Sequence, residues 1–171
     1  NKKLVCRIMI FPDDPENDST VMLMELQPNT YGGASAFRKQ VGALVWRMDE
    51  GVLKVLLVTS RDTGRFVIPK GWPMKKTKDS KAASIEVFEE AGVTGRIAPK
   101  PIGHYDYSKI FGPGFALPCR VMVFAMEATR ILPKWPEKGE RKRFWMTLED
   151  AAASVHEPEL RDLIEEFVPL L

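Results

Sequence analysis

The apolar positions of the chain fall in short runs separated by turn formers, a pattern of strands and loops rather than of long helices. Two such runs, 4–11 and 21–26, flank a stretch at 12–20 made of Pro, Asp, Glu, Asn, Ser and Thr, which predicts strand, loop and strand. Residues 28–37 contain Asn29, Gly32, Gly33 and Ser35 with little apolar periodicity and read as a linker. The chain therefore divides into an N-terminal appendage at 1–37 and a main domain at 38–171. In the main domain, 41–47 and 53–59 predict a hairpin in which Gly51 supplies the positive φ of a tight turn. A short strand follows at 66–68, and Pro69 to Pro73 should be a loop, because proline lacks an N–H and glycine is permissive. Residues 79–91 are rich in helix formers, with Thr77 or Asp79 as N-cap and Gly92 after the last turn. Strands are expected at 95–97, 104–109, 120–127 and 143–145. A capping-type start at Thr147 opens a helix to about 155, and another runs from 158 to 167. Interleaved strands and helices give an α/β class with helices on a mixed sheet.

Composition narrows this picture. Of the 171 residues, 44% are apolar and 28% charged, so burial can offset ordering entropy and neither a disordered nor a collagen-like chain is indicated. The longest apolar stretches, such as 52–58 and 121–126, fall well short of the ~20 residues that span a bilayer, so no membrane helix is expected. The run at 4–11 is broken by Cys6 and Arg7 and makes a poor secretory signal. Cys6 and Cys119 lie far apart, outside any metal-type spacing, and point to a reducing compartment, the cytoplasm, with both thiols as ordinary strand residues. The net charge of +2 implies no nucleic-acid partner by itself. Its placement is uneven: from Arg61 to Lys81 seven basic residues face two acidic ones, and from Thr147 onward one basic residue faces seven acidic ones.

The helix at 79–91 carries the candidate chemistry. At about 100° per residue, placing Glu86 at zero puts Glu90 near +40° and Glu89 near −60°. Val87, Ala91 and Phe88 form the opposite, apolar side, while Ala82 and Ala83, one turn earlier in the acidic sector, should leave the carboxylates accessible. Like charges at i,i+4 cost a helix a few tenths of a kcal/mol. A hard divalent cation relieves that repulsion, since Mg²⁺ takes oxygen ligands at ~2.0–2.1 Å from one or two carboxylates plus substrate phosphates. The plain alternative is a solvated helix face.

Gly71, followed by Glu86, Val87, Glu89, Glu90, Gly92 and Val93 in the spacing G-x14-E-V-x-E-E-x-G-V, resembles the Nudix box of the MutT-type pyrophosphohydrolases. The likeness extends over about 39–167 and is specific from Pro69 to Val93. It implies an α/β/α sandwich with a mixed sheet. It further implies Glu89 and Glu90 as Mg²⁺ ligands, Glu86 as a further ligand or the base, and the Lys70 backbone carbonyl as a fourth ligand, with Mn²⁺ as a substitute ion. Two positions depart from the pattern: the box's first glutamate falls on Thr77 and its arginine on Ile85. In the family that arginine holds a catalytic carboxylate in place, and Ile85 has no donor with which to do so. A slower enzyme, a substituted orienting residue and a binding-only descendant each follow as readings.

Arg61, Arg65, Lys70, Lys75 and Lys76 next to the box are candidate phosphate contacts, arginine suiting bidentate contact and lysine acting as a point charge. The stretch from Trp135 to Trp145, followed by Leu148 to Ala151, is similar to the diphosphoinositol polyphosphate phosphohydrolase branch, which acts on densely phosphorylated inositols and diadenosine polyphosphates. That likeness adds Arg141, Lys142 and Arg143 as phosphate contacts, although Lys70 to Lys75 replaces the branch's glycine-rich turn and acidic segment. Glu137 or Glu140 could supply an extra carboxylate, but nothing local distinguishes either from an exposed acid. Trp72, Tyr105 and Tyr107 suit stacking on a base or, more commonly, packing. His104 and His156 belong to no nucleophilic triad. The expected activity is Mg²⁺-dependent hydrolysis of a diphosphate linkage in a nucleoside or inositol polyphosphate. The alternative is a catalytically weak module that binds phosphorylated ligands. A nucleic-acid interactor has only the basic clusters in its favour, with no recognised motif, no membrane partner is expected, and nothing in the sequence fixes an oligomeric state.

Overall fold

The computed structural model describes residues 37–169; the expected appendage strands at 4–11 and 21–26, with Cys6, lie outside them. The first element, β1 (Arg38–Asp49), turns back into β2 (Val52–Thr59) through Glu50 and Gly51, at φ 48° and 81°. Both central residues of this two-residue turn are left-handed, which matches the twist of the flanking strands. Then come β3 (Phe66–Val67), β4 (Lys70–Gly71), α1 (Asp79–Ala91), β5 (Val93–Gly112), β6 (Phe115–Ile131), β7 (Arg143–Thr147), α2 (Leu148–Ser154) and α3 (Pro158–Glu165).

These strands form one mixed sheet in the order β3-β2-β1-β6-β5, with β4 on β1 and β7 on β2. The β1–β6 pair is parallel and every other pair antiparallel. Strand β1 is buried on both sides, and alternate residues serve separate cores. Val41, Ala43 and Val45 face α1 with Val87 and Ala91, whereas Leu44 and Trp46 face α2 and α3 with Ala151, Leu160 and Ile164. Helices thus cover both faces of the sheet, the α/β/α sandwich. Among the described residues no helix is long and apolar enough to cross a membrane.

Four local expectations need correction. Lys70 and Gly71 are not loop but a two-residue strand paired with Gly42 and Val41. Lys78, rather than Thr77 or Asp79, is the N-cap of α1, without a side-chain cap. The strands expected at 95–97 and 104–109 are parts of one 20-residue strand. Register shifts on either side of Pro101 accommodate the prolines between the two stretches, and β5 is an edge strand, where a missing N–H is tolerated. Finally, Ala82 and Ala83 are fully buried in the core beneath α1, so they pack the helix against the sheet and do not clear space beside the acids. The Thr147 cap stands: its hydroxyl accepts the Asp150 N–H at 3.2 Å.

Candidate active site

Helix α1 presents its three acids unequally. Glu90 is 4% exposed, while Glu86 and Glu89 are half-buried. Glu86 and Glu90, one turn apart, line a cleft of about 230 Å³ that also takes in Arg61, Arg65, Lys70, Trp72, Tyr107, Lys109, Glu137, Arg141 and Glu157. Glu89 does not line it; its backbone carbonyl accepts the Glu137 N–H at 3.0 Å.

The short strand β4 brings the loop against the helix. Pairing with β1 fixes Gly71 over Glu86, so closely that a Cβ at Gly71 would come within 2.0 Å of the Glu86 carboxyl carbon. The neighbouring Lys70 N–H donates to Glu90 Oε2 at 3.2 Å. It is therefore the amide of Lys70, rather than its carbonyl, that meets Glu90. The Lys70 ammonium lies 5.2 Å from the centre of the Tyr107 ring, and burial pulls its pKa down.

Residues 132–142 wrap the C-terminal end of α1. The Leu132 N–H donates to the Gly92 carbonyl at 2.8 Å, and together with the Glu137–Glu89 bond this docks the loop on the helix end. Arg141 reaches the cleft floor from this loop. Its Nη2 is 2.7 Å from Glu90 Oε1, its Nε donates to Glu137 Oε2, and its Nη1 donates to the Thr59 carbonyl at 3.1 Å. Glu137 in turn lies 3.9 Å from Arg61, which donates to Glu140 at 3.0 Å. Glu137 thus emerges as a cleft residue, while Glu140 stays on the rim as a partner of Arg61.

Burial pushes the Glu90 carboxyl up to about 7, against the pull of Arg141 and Lys70. Glu86 is raised by burial and then by repulsion from Glu89 and Glu137. Among the described residues it has no hydrogen-bond or ion-pair partner. No three acidic, histidine or cysteine side chains among the described residues are gathered as a ready-made metal cluster. The donor chemistry nevertheless fits Mg²⁺, which is commonly held by one or two carboxylates with water and substrate phosphates. Glu86 and Glu90 supply hard oxygens whose charge is disfavoured without a cation.

Other expected contacts are dispersed. Lys75, Lys76 and Lys142 are exposed and do not line the cleft. Arg143 turns to the end of α1, where Nη1 donates to the carbonyls of Ala91 and Leu132 at 2.7 and 3.0 Å and the guanidinium sits over Trp135. It supplies a cation at a helix C-terminus that has no basic residue of its own. Arg65 stays in the cleft, 3.7 Å from buried Glu157. Tyr105 is core, Tyr107 donates to Gln40 at 2.6 Å, and Trp72, 39% exposed, stands at the mouth with Lys109 5.2 Å from its ring centre. Of the residues without a sequence signal, Gln40, Lys109 and Glu157 reach the cleft from β1, β5 and the start of α3. Only their tertiary placement marks them.

The sequence profile described as NUDIX domain matches residues 36–167. Nudix hydrolase 12, mitochondrial, of Arabidopsis thaliana is 31% identical over 152 residues, covering 79% of this chain and 74% of its own. Diphosphoinositol polyphosphate phosphohydrolase 3-beta of Bos taurus is 30% identical over 133 residues, 75% of this chain and 76% of its own. Among solved structures, the Ap4A hydrolase of C. elegans superposes with a TM-score of 0.55 at 20% identity, covering 76% of this chain and 95% of its own, a likeness of fold.

Proposed function

The chain belongs to the Nudix hydrolase family, enzymes that act on phosphoric anhydride bonds, and we propose that it is a Mg²⁺-dependent hydrolase of a diphosphate linkage in a nucleoside or inositol polyphosphate. The observation that carries this is the pairing of a buried acid, Glu90, and a half-buried one, Glu86, with basic side chains around a single cleft. Glu90 would hold the ion, with Glu86 as a further ligand or the base and the Lys70 carbonyl as another oxygen donor, and Glu89, which does not line the cleft, would have to turn toward it to join them. When bound, the ion neutralises the diphosphate and makes water a better nucleophile. Glu86 is the acid free to take the proton of the attacking water. The water oxygen bonds to phosphorus as the bridging P–O bond breaks, and the charge on the departing phosphate falls among Arg61, Arg65 and Lys70.

Within that class the cleft supports a nucleoside substrate better than a densely phosphorylated ring. Arg61, Arg65 and Arg141 are each already paired with an acid, and the indole of Trp72 is open at the mouth for stacking. The decisive experiment is phosphate release from a panel of diadenosine polyphosphates and diphosphoinositol polyphosphates with Mg²⁺ and Mn²⁺. Turnover that Glu90→Gln abolishes, in a variant that still folds, supports the reading, and equal turnover in that variant refutes it. The second reading, a binding module without turnover, draws on Ile85 and predicts ligand-induced stabilisation with no product from any substrate. A cytoplasmic location rests on the two distant cysteines, and because three relatives carry mitochondrial names, cell fractionation is the check.

A further inference from the structure

We infer that Arg141 is the positioning residue for Glu90, supplied from the loop before β7 and fixed by Glu137, and not a contact to substrate phosphate. The inference rests on the reading of Glu90 as part of the catalytic machinery and adds what holds that carboxylate.

All three guanidinium nitrogens of Arg141 are committed inside the protein: Nη2 to Glu90, Nε to Glu137, Nη1 to the Thr59 carbonyl. The side chains of Arg141 and Glu90 are 9% and 5% exposed. A phosphate contact needs donors facing the ligand, whereas this fork is turned into a carboxylate–guanidinium–carboxylate stack whose planar geometry sets orientation as well as charge. Glu90 Oε1 takes Arg141 and Oε2 takes the Lys70 amide, so both oxygens are held and the carboxylate plane is fixed. The loop that delivers Arg141 is itself tied to α1 by the Glu137–Glu89 backbone bond, and the Thr59 N–H donates to the Lys142 carbonyl at 3.0 Å. Ile85, at the position where the resembled pattern has arginine, cannot make this contact. The guanidinium that holds Glu90 comes from the loop before β7 and not from α1.

Partners that orient metal-binding carboxylates usually cost ~10–100-fold in metal affinity or activity when removed. The test compares Arg141→Lys, Arg141→Met and Glu137→Gln with the unaltered enzyme. Steady-state kinetics uses whichever panel substrate that enzyme turns over, and Mn²⁺ binding without substrate is read by electron paramagnetic resonance. Positioning predicts that Arg141→Lys, which keeps the charge but loses the fork, lowers kcat by about 10–100-fold with KM within about threefold. It also predicts weaker Mn²⁺ binding, and a smaller change in the same direction in Glu137→Gln. If Arg141→Met fails to fold, the other two variants give the answer. A rise in KM at unchanged kcat, with Mn²⁺ binding unchanged or tighter, overturns the inference and restores Arg141 as a phosphate contact. Persistent turnover in Glu90→Gln would instead defeat the underlying reading, so the two failures are distinguishable.

Discussion

Replacing Gly71 by alanine tests the active-site geometry with one added methyl group. The new Cβ would lie 2.0 Å from the Glu86 carboxyl carbon and 2.2 and 2.3 Å from its oxygens, well inside contact distance. Gly71 is not among the residues with positive φ, so alanine meets no backbone conflict. The obstacle is the far end of a half-buried side chain that can swing away. A forced, off-rotamer Glu86 costs about 0.5–1.5 kcal/mol, and losing glycine's freedom in the unfolded chain returns about 0.4–1 kcal/mol. The net effect on stability is therefore within about 1 kcal/mol, or a few degrees in Tm for a domain of this size. Activity should respond far more strongly, because displacing a catalytic group by about 1 Å can lower the rate ~100-fold. The assay is kcat at saturating substrate and Mg²⁺ beside thermal unfolding by circular dichroism. A Gly71→Ala enzyme with kcat within threefold of the parent would refute the placement of Glu86 at the reacting centre. A drop in Tm of more than about 10 °C would show that the conflict is with backbone rather than with the acid.

Glu90 makes stability depend on pH with a defined sign. Its folded pKa, about 7, lies above the ordinary 4.5, so the fold disfavours the charged form. The cost is absent below the ordinary value, grows as pH rises, and reaches on the order of 3 kcal/mol above pH 7. Denaturant unfolding of the metal-free protein should therefore show stability falling between about pH 4.5 and 7, a slope that Glu90→Gln reduces, leaving the smaller part that the raised Glu86 contributes, and that Mg²⁺ counteracts less in Glu90→Gln than in the parent. Arg143→Met should lower stability by about 1–3 kcal/mol, since two backbone carbonyls lose a charged donor. KM should stay within twofold, and a large rise in KM would return Arg143 to the substrate site.

The parts of the fold legible in the sequence are those governed by neighbours along the chain. The β1–β2 turn was marked by Gly51, the end of α1 by Gly92, and the start of α2 by Thr147, each through local backbone or capping chemistry. The spacing from Gly71 to Glu86 also held information, because the collision that excludes a side chain at Gly71 involves that very glutamate. What failed was inference from local signals to tertiary surroundings. The strands expected at 95–97 and 104–109 are one, because an edge position and shifted register accommodate Pro99 and Pro101 between them. Ala82 and Ala83 share a wheel sector with the acids, yet the sheet passes beneath that sector, so small size there serves close packing. Basic residues were equally ambiguous: Arg141 and Arg143 are two apart in a strand-like segment, one reaching the cleft floor and the other the end of α1.

That divergence bears on how the departure at Ile85 should be weighed. A motif records which residue usually does a job, whereas the physical requirement is a donor within reach of a buried carboxylate. Glu90 is buried beside Glu137, and a lone charge in such a place is strongly disfavoured without a compensating cation. With Ile85 unable to provide one, the fold must supply it from elsewhere, and the loop that closes the C-terminal end of α1 does so with Arg141. The same loop stations Arg143 at the carbonyls of that helix end, so one segment holds both the acid and the backbone that carries it. With Arg141 and the Lys70 N–H on its two oxygens, Glu90 is held whatever stands at position 85, and absence of the usual arginine is no physical reason to expect a disordered Glu90.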